Sequence, residues 1–195
     1  MKTLKKTTYV ILLTFITNLA GCSSDDNNSG PDGDPGDPTG QQGDPHTYDI
    51  TITGGSAGEK NVSGEIDNSY TEGITNLSIY EILEDGTKAK SFFLGNSEIS
   101  IIGSFYEVNG QTPDFGSEGD KASELSIILS PPIEDGYEAI SGSVELSNIN
   151  YKTVTTTSGL ASYKLIFNGT FETDEGDETV QVSGTVVVHM PPSLN

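Results

Sequence analysis

Thr179-Val180-Gln181-Val182-Ser183-Gly184-Thr185-Val186-Val187-Val188, "TVQVSGTVVV", is the stretch on which the fold class turns. At strand period two, Val180, Val182, Gly184, Val186 and Val188 share one face, and Gln181, Ser183, Thr185 and Val187 share the other. One valine face against a mostly polar face is the pattern of a half-buried antiparallel strand. Pro191 and Pro192 follow and stop it, because proline cannot donate to a sheet ladder.

The same texture runs back to Tyr48. Residues 48–52 alternate cleanly, and two apolar runs, 77–83 and 88–94, flank Glu84-Asp85-Gly86-Thr87, where Asp-Gly signals a hairpin. Residues 98–108, 124–129, 137–149, 162–172 and 178–189 read as further strands. No window of helical length carries apolar residues at spacings of three and four. Residues 47–195 are therefore expected to form a single all-β domain of about eight to ten strands. An antiparallel β-sandwich is the leading architecture and a β-barrel the alternative.

Glycine recurs between apolar neighbours at Gly64, Gly103, Gly142, Gly169 and Gly184. Each shares a strand face with the residues two before and two after it. The missing side chain suits a bend, a bulge or the close approach of facing structure. Ile140, Val144 and Leu146 are expected beside the last strand at the centre of the core.

Composition limits the partners. The chain has 29 Asp+Glu against 9 Lys+Arg, a formal charge of −20, and no tryptophan. So acidic a protein repels nucleic acid and anionic head groups. It has one cysteine, Cys22, so no internal disulfide can form.

The position of Cys22 gives that residue its meaning. Lys2, Lys5 and Lys6 make a basic start, residues 9–16 an apolar run, and Leu19-Ala20-Gly21 a small-residue approach to the cysteine. This is the order of a secretory signal, with an apolar run too short to span a bilayer. Leu19-Ala20-Gly21-Cys22 resembles the lipobox of bacterial lipoproteins. The resemblance implies cleavage after Gly21, a diacylglyceryl group on the Cys22 sulfur and acylation (palmitate or a similar chain) of the new amino terminus. Two or three acyl chains, each buried CH₂ contributing about 0.8 kcal/mol, would hold the protein to membrane lipid. Ser23-Ser24-Asp25-Asp26 is similar to the acidic export signal of surface lipoproteins of the Bacteroidota. That implies an outer-membrane location with the domain outside the cell, a periplasm-facing domain being the alternative.

Residues 22–46 are expected to be a tether. After Cys22 the run is dominated by Gly, Pro, Asp, Ser and Asn, and nothing in it can offset its ordering entropy. As a flexible coil it would span about 27 Å.

Little chemistry is visible. The only imidazoles are His46, at the end of the tether, and His189, expected at an exposed strand end, and no zinc set or nucleophile elbow can be assembled. No catalytic residue is assigned. Residues 172–178 place Asp174, Asp177 and Glu178 in one acidic loop, a candidate for calcium, and residues 114–124 form a second acidic connection. The plainer reading of both is a solvated turn. Tyr48, Tyr70, Tyr80, Tyr106, Tyr137, Tyr151 and Tyr163 could include a sugar-stacking surface, though strand tyrosines usually pack. The leading function is a non-catalytic cell-envelope module that binds a glycan or envelope protein, or serves in structural display. A glycan-acting hydrolase with a carboxylate pair and a calcium-dependent adhesion module are the alternatives.

Overall fold

Nine strands build the domain: β1 (His46–Thr53), β2 (Glu59–Ile66), β3 (Leu77–Ile82), β4 (Lys88–Gly95), β5 (Ile99–Glu107), β6 (Glu124–Leu129), β7 (Gly136–Thr153), β8 (Ser158–Thr173) and β9 (Thr179–Val188). The computed structural model describes residues 43–56, 58–68, 76–130, 135–174 and 178–191, and contains no helix among them. The signal segment, Cys22, Ser23, Ser24, Asp25, Asp26, nearly all of the tether, Tyr70 and Asp177 lie outside the described residues.

All strands belong to one antiparallel sheet in the order β2-β1-β9-β8-β3-β4-β5-β6-β7, with β7 also pairing to β8. One edge of β8 is shared, because β3 pairs with Ser158–Leu160 and β9 with Tyr163–Glu172. Among the described residues no further strand pairs with β2, and β7 meets β6 over only three residue pairs, so the sheet is not a closed barrel. It is instead sandwich-like, bent so that β2 reaches strands remote from it in the ladder. Asn96, in the β4–β5 turn, donates to the Glu65 carbonyl, and Lys60 Nζ reaches Asp135 Oδ2 at 2.5 Å, just before β7.

The period-two reading of β9 holds residue by residue: Val180, Val182, Val186 and Val188 are buried while Thr179 and Gln181 are exposed. β9 lies between β1 and β8, which supply Ile50, Ile52, Leu165 and Phe167 to the same core. The expected hairpin is also present. Leu83 and Thr87 close it by a backbone bond of 2.8 Å, and Gly86 takes φ 83°, the left-handed conformation that Asp-Gly turns need.

Three of the recurring glycines share one physical reason. Gly64 lies opposite Tyr48, Gly103 opposite Phe92 and Gly184 opposite Phe167 in the strand registers. In each case the aromatic side chain lies across the glycine, so that a Cβ there would meet the Tyr48 hydroxyl at 2.8 Å, the Phe92 ring at 2.5 Å and the Phe167 ring at 3.0 Å, with the Asp49 carbonyl oxygen also 2.7 Å from a Cβ on Gly184. The glycine gives up side-chain volume and the aromatic partner fills it. Gly142 and Gly169 instead face one another directly across β7 and β8.

One core expectation is corrected. Val144 is buried and Leu146 packs against the core, but Ile140 is 42% exposed. The register of β7 on β8 shifts between Ala139 and Ser141, a bulge that turns Ile140 to the outside.

Candidate functional site

The site is built where β7 leaves β6. β6 pairs with β7 only at Ser126–Ile128 and Gly136–Glu138, after which β7 continues alongside β8. Part of the opening is filled by the chain between β5 and β6. There Phe115 is buried, its N–H donates to the Gly142 carbonyl at 2.9 Å, and its ring meets Phe171 edge-on at 6.0 Å. Asp114 Oδ1 accepts the Val144 N–H at 3.3 Å. The second acidic connection is therefore a strap pinned to the sheet. Beside it remains a cavity of about 240 Å³, lined by Lys90 and Glu107, by Gln111 and Thr112 of the loop, and by Val144, Glu145, Leu146 and Ile149 of β7.

Register places the charged pair. Phe105, Lys90, Tyr80, Gly159 and Thr153 form one continuous row across β5, β4, β3, β8 and β7. The Tyr80 ring crosses Gly159, which has no side chain to obstruct it, and its hydroxyl meets Thr153 Oγ1 at 2.9 Å. Lys90 thus projects on the core face of β4, in phase with the buried Phe92 and Leu94, and its side chain is only 1% exposed. Glu107, in phase with Phe105, sits 3.4 Å from its Nζ. From β7, the Tyr151 hydroxyl donates to the same Glu107 oxygen at 3.4 Å, and its ring lies 5.0 Å from Lys88 Nζ and 5.9 Å from Lys90 Nζ. Tyr80 meets Tyr151 edge-on at 4.7 Å.

The electrostatics follow from this packing. Burial lowers the Lys90 pKa, and the Glu107 carboxylate opposes the shift. Burial and the negative charge of Glu107 push the Tyr151 phenol up to about 12, so it stays a donor. The Lys90 ammonium has three N–H groups, and its hydrogen bond to Glu107 is long at 3.4 Å. This cavity has polar residues (Glu107, Gln111, Thr112) on one side and an apolar wall (Val144, Leu146, Ile149) on the other.

Lys90→Met is expected to leave stability within about 1 kcal/mol of wild type, because a methionine of similar length fills the site and Glu107, a third exposed, regains water. Glu107→Leu is expected to cost about 2 kcal/mol by stranding the ammonium. Urea unfolding of both variants checks the asymmetry.

The residues singled out in the sequence are placed elsewhere. His46 is fully buried in β1. Its Nε2 donates to the Asn76 carbonyl at 3.1 Å, and its Nδ1 accepts the His189 backbone N–H at 3.0 Å. His189 is half-buried rather than exposed. Glu178 Oε2 accepts the Ser56 N–H and hydroxyl at 2.8 and 3.0 Å, which holds its carboxyl below the usual range. The Asp174 carboxylate lies against Gly136 and its N–H donates to the Gly136 carbonyl. Among the described residues no three His, Cys, Asp or Glu side chains are grouped to hold a metal. Tyr48, Tyr80, Tyr137 and Tyr163 are core residues, while Tyr151 is 36% exposed beside the cavity.

No protein-family model, curated protein or solved structure matches this chain. The site is therefore read from its own chemistry. Lys90 and Glu107 were not among the residues singled out in the sequence, although strand phase carries the signal: each falls on the face of its strand that holds the core residues.

Proposed function

We propose that the chain is a lipid-anchored protein of the cell envelope whose β domain is a non-catalytic binding module, with the cavity beside Lys90 as its binding site. The observation that carries the binding reading is an open cavity of about 240 Å³, lined by the polar residues Glu107, Gln111 and Thr112 and by the aliphatic residues Val144, Leu146 and Ile149. The anchor reading rests on Leu19-Ala20-Gly21-Cys22 and its basic and apolar approach. The Ser23-Ser24-Asp25-Asp26 run supports display on the outer face of the outer membrane.

Cys22→Ala is expected to move the protein from the membrane fraction to the soluble fraction, and retention in the membrane would overturn the anchor. Protease treatment of intact cells carrying the wild-type protein is expected to remove the domain. Protection would place it facing the periplasm instead.

A glycan-acting hydrolase keeps one observation in its favour, the partly exposed Glu107 carboxylate in the lining of the cavity. Glu107, however, accepts from both Lys90 and Tyr151, which suits a fixed counter-ion better than a proton donor.

A further inference from the structure

We propose that the gap between β7 and the strap takes a short extended segment of a partner protein, which adds as a strand to the edge of β7 and places one apolar side chain in the cavity. The inference rests on the reading of that cavity as a binding site and adds the class of its occupant.

The backbone selects it first. β7 pairs with β8 along one edge and with β6 along the other, but the β6 pairing ends at Glu138. Among the described residues, only the strap bonds to that second edge between Ala139 and Leu146. The Phe115 N–H donates to the Gly142 carbonyl, and Asp114 Oδ1 accepts the Val144 N–H. Gly142 and Val144 therefore turn backbone groups away from β8. Alternation along an antiparallel ladder gives Leu146, two residues on, the same direction. Its N–H and carbonyl, with the Val144 carbonyl, are left facing the gap, a template for an incoming strand. An antiparallel residue opposite Leu146 would exchange both hydrogen bonds with it, and the residue two further on would donate to the Val144 carbonyl.

The strap shows the same mode one step earlier on this edge. Phe115 bridges to Gly142, and its ring enters the core against Phe171. Beyond that point the space is the cavity of about 240 Å³, walled by Val144, Leu146 and Ile149. A strand residue opposite Leu146 shares its face, so its side chain points to that wall.

Length and charge narrow the occupant. Asp114 closes the edge at Val144, and the second bulge of β7, between Ser147 and Asn150, closes it at the other end. So short a run fits about five extended residues, roughly 17 Å, rather than the edge strand of a second copy. Glu145 is exposed on the outer face, with Ile166 beside it on β8. The residue after the apolar one would stand across from Glu145 on that face. The strap adds Asp114, Glu118 and Asp120, and its Lys121 is taken by Asp85. Lysine or arginine therefore suits that position in a partner of a chain with formal charge −20. Residues 23–45 of this chain hold neither an aliphatic or aromatic side chain nor a lysine or arginine, so the tether is not the occupant.

The test uses the mature lipoprotein in detergent micelles, observed by NMR at the methyl groups of Val144, Leu146 and Ile149 and at the Leu146 amide. The probes are acetyl-Thr-Thr-X-Lys-Thr-amide peptides with leucine, valine or phenylalanine at X. At least one is expected to shift the methyl signals saturably and to slow hydrogen exchange of the Leu146 amide at least about tenfold. Alanine at X, or methylation of the backbone nitrogen of X, is each expected to weaken binding at least about tenfold. Glu145→Lys, on the exposed face and outside the core, is expected to weaken binding severalfold and to favour the peptide with glutamate in place of lysine. A methylated peptide that binds as tightly as its parent, or a Leu146 amide that exchanges at the same rate when saturated, would overturn strand addition and leave the cavity a site for a side chain alone. Equal binding of the lysine and glutamate peptides would overturn the basic partner. If no peptide binds, strand addition fails, and the methyl glycosides of glucose and galactose are then applied to the same methyl signals. A saturable response to them keeps the cavity as a binding site, whereas silence ends that reading as well.

Discussion

Gly142→Ala is expected to lower the unfolding free energy by about 4 kcal/mol, a large part of the 5–15 kcal/mol that a domain normally possesses. Gly142 sits at φ 130°, where L side chains are strained by about 1–3 kcal/mol. The strain is only part of the cost. A Cβ on Gly142 would lie 2.3 Å from the Asn168 carbonyl oxygen and 2.3 Å from the Gly169 Cα, both backbone atoms of the paired strand. Neither can rotate away, so β7 and β8 would have to separate, at a further cost of about 1–3 kcal/mol. The Gly142 carbonyl also accepts the Phe115 N–H, so the movement would pull on the strap beside the cavity. At this chain length the change corresponds to a melting temperature lower by about 10 °C. Gly86→Ala is the control, because Gly86 has φ 83° but nothing within 4 Å of a Cβ, and about 1 kcal/mol is expected there. Equal costs for the two variants would show that close approach of β7 and β8 contributes nothing.

Gly142 also marks how far a periodic pattern can be followed. Alternation alone identified the buried valines of β9 and placed the β3–β4 hairpin around Asp85-Gly86, because both depend only on residues a few positions apart. The glycine pattern was legible as lost volume, and Gly64, Gly103 and Gly184 do face rings that take it up. Which ring meets which glycine is a matter of register between strands, and the pattern within one strand carries no register. Ile140 fails for a related reason. One extra residue in a bulge reverses every face beyond it, and the bulge next to Gly142 is fixed by its partners on β8.

The candidate site divides along the same line. Lys90 and Glu107 could have been found by phase, since a charged residue in step with Phe92 and Leu94, or with Phe105, must either be buried or break the strand. Tyr151 could not. It reaches Glu107 across 44 residues, from a strand that is bulged twice before it arrives. The cavity itself exists because β7 parts from β6, a decision made by pairing partners rather than by any local stretch of sequence. The acidic loop at Asp174 and Glu178 shows the converse. Its composition suggested ligands for a cation, whereas Glu178 is committed to Ser56 from 122 residues away.

Stability is expected to fall by about 3 kcal/mol between pH 6.5 and pH 4, with His46 as the cause. The His46 imidazole is held neutral, its pKa brought from 6.5 down to about 4, chiefly by burial and to a lesser degree by His189. The Nε2 bond to the Asn76 carbonyl favours the charged ring and opposes this shift, but Nδ1, the site left for a proton, already accepts the His189 N–H. Above pH 6.5 the folded and unfolded chains are both neutral at this residue, and its contribution is fully present. Between pH 6.5 and 4 the unfolded chain takes up a proton that the fold does not, so stability drops by about 1.4 kcal/mol per pH unit. About 2 kcal/mol of the loss falls by pH 5, before ordinary carboxylates titrate, so urea unfolding at pH 7, 6 and 5 isolates it. His46→Gln is expected to be less stable at pH 7 and to lose this slope. His189→Gln is expected to keep most of it, because the contact with His46 comes from the His189 backbone. A wild-type slope that survives His46→Gln would place the titrating group elsewhere. His46 is the first residue of β1, and Asn68 beside it donates to the carbonyls of both Asp44 and Met190, joining the two ends of the described fold. Acid therefore acts where the segment leading back to Cys22 joins the sheet, and β1, paired to both β2 and β9, is expected to loosen from that end first.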